Sequence, residues 1–282
     1  MRKLQLTCSI KVLLIFAGII LMQIFASAIY TLGYIFTKAI SGASYTDAIG
    51  GLAGSTSHIM WISAISAILS MIWCLILYLK SNWRIKGMDY RKVFTFGNIM
   101  GIMGAGACGC ISLTVFLSLI MNFMPQAFEN YNQIMQNLEP SGGVITFIYV
   151  LIIGPASEEI IFRGAIFDRT RLAFGFFTGN IIQALLFGIY HMNLIQGIYA
   201  FLLGIVLGMV IYATGSIICS ILTHIIFNST TYIIQYIFGD DSVIMAVLFM
   251  ILTVFSVIML AFSLRYFINR CMDKYNMEKQ YN

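Results

Sequence analysis

Gly154-Pro155-Ala156-Ser157-Glu158-Glu159-Ile160-Ile161-Phe162-Arg163-Gly164 sets two adjacent carboxylates and a guanidinium inside a run otherwise apolar enough to lie in a membrane. An ionisable group at bilayer depth costs about 2.5–3.5 kcal/mol on insertion scales, so it persists where it has partners or a task. Proline is tolerated at a first helical position and not in the hydrogen-bonded interior, so Gly154-Pro155 is expected to break or restart the helix. Glu158 and Glu159 then fall in the first turn, where the macrodipole favours negative charge. Glu159 and Arg163 stand four apart and can pair along one face. Glu158 projects about 100° away and meets no cation of its own helix. The spacing predicts different work for the two: Glu159 held by Arg163, Glu158 facing a cavity. The competing reading of this stretch alone is a buried charge cluster that only locks helix packing.

The flanking sequence is of the same apolar kind. Of 282 residues 60% are hydrophobic and 10% charged, far from the roughly 25% charged of a soluble domain. Runs near the ~20 residues that span a bilayer recur from end to end. The expectation is an all-α, polytopic membrane protein with about eight transmembrane helices, roughly 12–37, 59–79, 94–123, 143–168, 175–192, 194–213, 216–238 and 243–266. No linker or internal repeat divides the chain, so 1–282 reads as one integral membrane domain with the motif-bearing core at 143–238. The N-terminal apolar run is too long for a signal-peptide core and reads as a retained anchor.

All basic residues except Lys38 and Arg163 fall at one set of helix ends: Arg2, Lys3 and Lys11, the loop Lys80–Lys92, Arg169 and Arg171, and Arg265 onward. By the positive-inside rule both termini are expected on the cytoplasmic side. The opposite loops, 124–142 and 239–242, carry Glu129, Glu139, Asp240 and Asp241 and no cation. Basic residues confined to helix ends do not point to nucleic acid. The six cysteines form no C-x-x-C pair, and the zinc-knuckle spacing is absent. The third span is glycine-rich, and Gly97-x-x-x-Gly101 fits close helix contact.

There are three histidines. His58 reads as an interfacial residue. His191 ends the fifth span one turn after Phe187. His224 and Asn228 are four apart and project from one face of the seventh. One free carboxylate, two imidazoles and a carboxamide suit water activation beside a polarised carbonyl. A carboxylate and an imidazole take the proton, and N–H donors hold the oxyanion. No serine nucleophile elbow, H-E-x-x-H helix or G-x-G-D aspartyl pair offers another protease mechanism.

At these residues the chain resembles the CAAX-type intramembrane endopeptidases and their bacteriocin-processing relatives, the CPBP or "abortive infection" family. The match is to E-E-x-x-x-R at Glu158 to Arg163, F-x-x-x-H at Phe187 to His191, and H-x-x-x-N at His224 to Asn228. The resemblance implies a glutamate-dependent endopeptidase in a cell membrane, bacterial by general appearance, acting on a membrane-associated protein or peptide. It assigns water activation to Glu158 and His224, oxyanion stabilisation to His191 and Asn228, and support of the site to Glu159 and Arg163. Phe187 comes with the second motif. The family has also been described as zinc-dependent, with Glu158, His191 and His224 then the ligands. The metal-free version is preferred because a carboxamide is a poor zinc ligand and a natural oxyanion donor.

Two rivals stand beside this reading. One is a non-catalytic immunity or peptide-binding membrane protein with the polar cluster as glue. The other is a proton-coupled transporter, which the missing repeat disfavours. One geometric tension remains at this point. Counting ~1.5 Å per residue puts Glu158 and His191 roughly 20–25 Å from the cytoplasmic end but His224 only about 12–13 Å.

Overall fold

The computed structural model describes residues 2–52, 56–81, 93–138, 143–238 and 242–280. Arg84, Lys86, Arg91 and Lys92 of the basic loop, and Glu139, Asp240 and Asp241 of the opposite loops, lie outside them. Among the described residues there is no strand. The helices are α1 (Arg2–Ile40), α2 (Tyr45–Leu52), α3 (Thr56–Leu79), α4 (Phe96–Phe123), α5 (Pro125–Leu138), α6 (Val144–Tyr190), α7 (Leu194–Thr214), α8 (Ile217–Phe238) and α9 (Val243–Gln280). Seven of them are long and apolar enough to cross a membrane, all but α2 and α5. The all-α polytopic expectation is borne out.

Seven and eight spans describe the same chain. α6 is 47 residues long but leaves helical geometry at Gly175, where φ is +81° and ψ 173°. The hydroxyl of Thr170 donates to the carbonyl of Gly179 at 3.0 Å, a contact that a straight helix at ~1.5 Å per residue forbids. The helix therefore folds back on itself there, and its arms are the expected fourth and fifth spans. Only glycine adopts this dihedral pair without strain.

The returning arm packs along α7 through small residues and buried amides. Asn180 and Gln183 donate to the carbonyls of Ile205 and Gly204 at 3.0 and 2.8 Å, satisfying polar groups that water cannot reach. The glycine face of α4 meets α9 as its spacing suggested. A Cβ on Gly101 would stand 2.8 Å from the Phe267 ring. On the same helix, a Cβ on Gly106 would stand 2.8 Å from the Thr223 carbonyl of α8.

The segment 124–142, read as a loop, contains the helix α5. Its half-buried or buried residues Met124, Ala127, Phe128 and Tyr131 recur at the spacing of one helical face. At 14 residues α5 is too short to span a bilayer.

Candidate active site

α6 is where the site is built. Pro155 has no N–H, so an α-helical bond to residue 151 cannot form there. The chain widens instead into π-helical turns at Tyr149–Ile153 and Ile160–Ile166, and the Gly154 N–H reaches Tyr149 O. Such turns concentrate at functional sites. The helix is thus distorted rather than restarted, and Glu158 and Glu159 leave it between two widened turns.

Glu159 and Arg163 are both fully buried, with Oε1 and Nη1 2.9 Å apart. This is a charge contact rather than a well-directed hydrogen bond, since Nη1 lacks hydrogen-bond geometry to any described residue. The guanidinium carbon lies 4.3 Å from the Phe187 ring centroid, where the π face supplements the ion pair. Glu159 Oε1 also accepts from His224 Nδ1 at 2.8 Å, and Oε2 accepts from the Ser220 hydroxyl at 2.5 Å. A carboxylate can only accept, so His224 carries its proton on Nδ1 and turns Nε2 outward.

His224 Nε2 faces Glu158, 3.7 Å from Oε2. That gap exceeds a direct hydrogen bond and lets one water molecule contact both atoms. The Glu158 side chain is 17% exposed and opens on a cavity of about 320 Å³ that His191, His224 and Asn228 also line. His191 donates through Nδ1 to the Phe187 carbonyl at 2.9 Å. With that proton committed, its Nε2 donates only when the ring is cationic. Asn228 gives one amide hydrogen to the carbonyl of Val150 at 2.9 Å and retains a second. Phe187 is the post between these groups, with its ring 4.9 Å from His191, 5.9 Å from His224 and 5.0 Å from Phe162.

All seven residues singled out from the sequence therefore converge. The apparent mismatch in height narrows because Thr170 and Gly179 already meet within the reversal and a π-helical turn lies between it and Glu158. His58 stays apart, its Nδ1 2.7 Å from the Tyr30 hydroxyl and its ring against Tyr34. Ser220 was missed. It stands four residues before His224, and the stripe Ser220-His224-Asn228 is the signal that would have found it. Among the described residues no three His, Cys, Asp or Glu side chains converge as a metal site would require. Glu158, His191 and His224 are not arranged as a ligand set.

The fold is that of an all-α polytopic membrane protein. Residues 140–230 match the family model of the type II CAAX prenyl endopeptidase Rce1-like proteins. The matched segment holds all three motifs. No curated protein and no solved structure matches it.

Proposed function

We propose that this protein is an intramembrane endopeptidase that hydrolyses a peptide bond with a water molecule activated by Glu158 and His224. The observation that carries this reading is the pairing of Glu158 Oε2 and His224 Nε2 at 3.7 Å on a cavity. The far side of the same imidazole is fixed by the buried Glu159–Arg163 pair. A base must be oriented before its strength matters, and Glu159 supplies the orientation.

Water bound between the two groups gives a proton to them as its oxygen attacks the carbonyl carbon. The second N–H of Asn228, with protonated His191, receives the oxyanion. The intermediate then collapses, the C–N bond breaks, and the proton passes to the departing amine. Each step uses the chain's own residues, and the metal-free mechanism is favoured because the donors do not converge on one point. The basic helix ends support a reading in which both termini are cytoplasmic.

The test is a peptide profile by mass spectrometry of membranes and culture fluid from cells making the wild type or Glu158→Gln at equal levels. Defined peptides or shortened protein termini seen only with the wild type are the expected result. Identical profiles, with the host phenotype intact, would move the function to non-catalytic peptide binding.

A further inference from the structure

Most lining residues of the cavity come from one end of the bundle, the rest from its middle. Met60 lies near the start of α3, Leu117 near the end of α4, and Tyr149 near the start of α6. Gln196 and Tyr199 stand in the first turns of α7, and Gln235 in the last turn of α8. On the other side of Glu159 the interior is closed. Ile161, Phe162, Ile166, Phe167, Leu207 and Ile211 are fully buried, so no passage runs through them to the opposite end.

That opposite end is the basic one. The end of α3, the α6 reversal, the end of α7 and the tail of α9 meet there. Ser81 donates to Asp168 at 2.5 Å, Tyr212 to Glu278 at 2.6 Å, and Lys274 to the Tyr212 carbonyl at 3.0 Å. The cavity end has Lys38 as its sole basic residue among the described ones. An excess of Lys and Arg marks the cytoplasmic side.

Over the cavity end lies α5. Its Phe128 is buried, and the Tyr131 ring, which lines the cavity, sits 6.4 Å from that of Tyr199. Its other face, with Gln126, Glu129, Asn132 and Gln133, is exposed. Among the described residues the lining contains no Lys or Arg, and Glu158 is its sole carboxylate. At about 320 Å³ the space is at the small end of ligand pockets and suits an extended segment better than an α-helix some 10 Å across.

We infer that the site is served from the extracytoplasmic face, beneath α5, and that its substrate is an extended polypeptide segment lacking acidic side chains at the cleaved bond. The substrate half of this inference rests on the peptidase reading; the direction of access does not. A helical substrate has to unwind to be cut, and a carboxylate near the scissile bond meets Glu158 in a cavity whose described lining offers no Lys or Arg to offset it.

Access is tested by thiol labelling of the full chain in a variant without its native cysteines. Gln196→Cys and Gln235→Cys probe the cavity, and Lys279→Cys marks the basic end. A membrane-impermeant maleimide is applied to intact cells and to inside-out vesicles. The expected result is modification of positions 196 and 235 from outside the cell only, and of 279 in inside-out vesicles only. Adding Tyr131→Ala is expected to raise modification at 196 several-fold. Modification of 196 and 235 from the cytoplasmic side, or none from outside even with Tyr131→Ala, overturns the proposal. Should the cysteine-free chain fail to fold, the same substitutions are read above wild-type labelling, since five of the six native thiols are buried.

Wild-type-dependent cleavage sites in the peptide profile provide the substrate test. They are expected in extracytoplasmic segments without Asp or Glu beside the cut, and cytoplasmic or acidic sites would sink that half. Labelling from outside without any Glu158-dependent cleavage would leave access standing and remove the peptidase. Cytoplasmic labelling with intact cleavage would do the reverse.

Discussion

The two ends of this bundle use the same kinds of residue to opposite ends. At the basic end Asp168, Arg171, Lys274, Tyr212 and Glu278 interlock, and their charges are spent on one another. At the cavity end Glu158, His191 and His224 each keep one polar edge turned to open space. The Glu159–Arg163 pair is the boundary between them. Polar groups in a membrane protein are structural when their partners close the circuit, and chemically available when one side of the circuit is held and the other left open. Glu158 and Glu159 show the contrast one residue apart.

Substitutions break this comparison by degrees. His224→Gln has the largest expected effect, a fall in cleavage of about 10²–10⁴-fold, because it removes a general base; assay of the released peptide checks it. Arg163→Met follows. Stranding the buried Glu159 charge is expected to cost about 3–5 kcal/mol of stability, read as a lower denaturation midpoint in detergent, with cleavage lost as a consequence. Gly175→Ala places a Cβ in a backbone region that only glycine occupies easily, and is expected to cost about 1–3 kcal/mol with cleavage by the folded fraction unchanged. Glu278→Gln, at the exposed rim of the basic end, is expected to change the midpoint by about 0–1 kcal/mol. A larger loss there would show that the basic end does more than close the bundle.

Much of this was legible in the chain because charge in an apolar run has few explanations. The pairing of Glu159 with Arg163 followed from a four-residue spacing, and the separate fate of Glu158 from the 100° step. The spans followed from apolar length, and the reversal from the gap between the expected spans 143–168 and 175–192. What the sequence did not display depends on departures from straight α-geometry. The π-helical turns around Gly154–Glu159 and the depth of the reversal decide whether His224 reaches Glu158, and neither has a periodicity to read. α5 escaped notice for a related reason: it is 14 residues long and its apolar residues alternate with polar ones. Ser220 was visible in principle, but a serine within a membrane helix is usually bonded to its own backbone, so it drew no attention beside two imidazoles.

The measurement that tests the account most directly pairs cleavage with thermal stability for purified wild type and Glu158→Gln in the same detergent. Glu158 is half-buried and stands 3.7 Å from His224, so the melting temperature is expected to stay within about 2 °C, a shift that corresponds to about 1 kcal/mol. Cleavage of the peptide identified in cells is expected to fall by at least about 100-fold. Cleavage that survives the substitution, or that disappears only with the folded structure, would contradict the assignment of Glu158 to water activation.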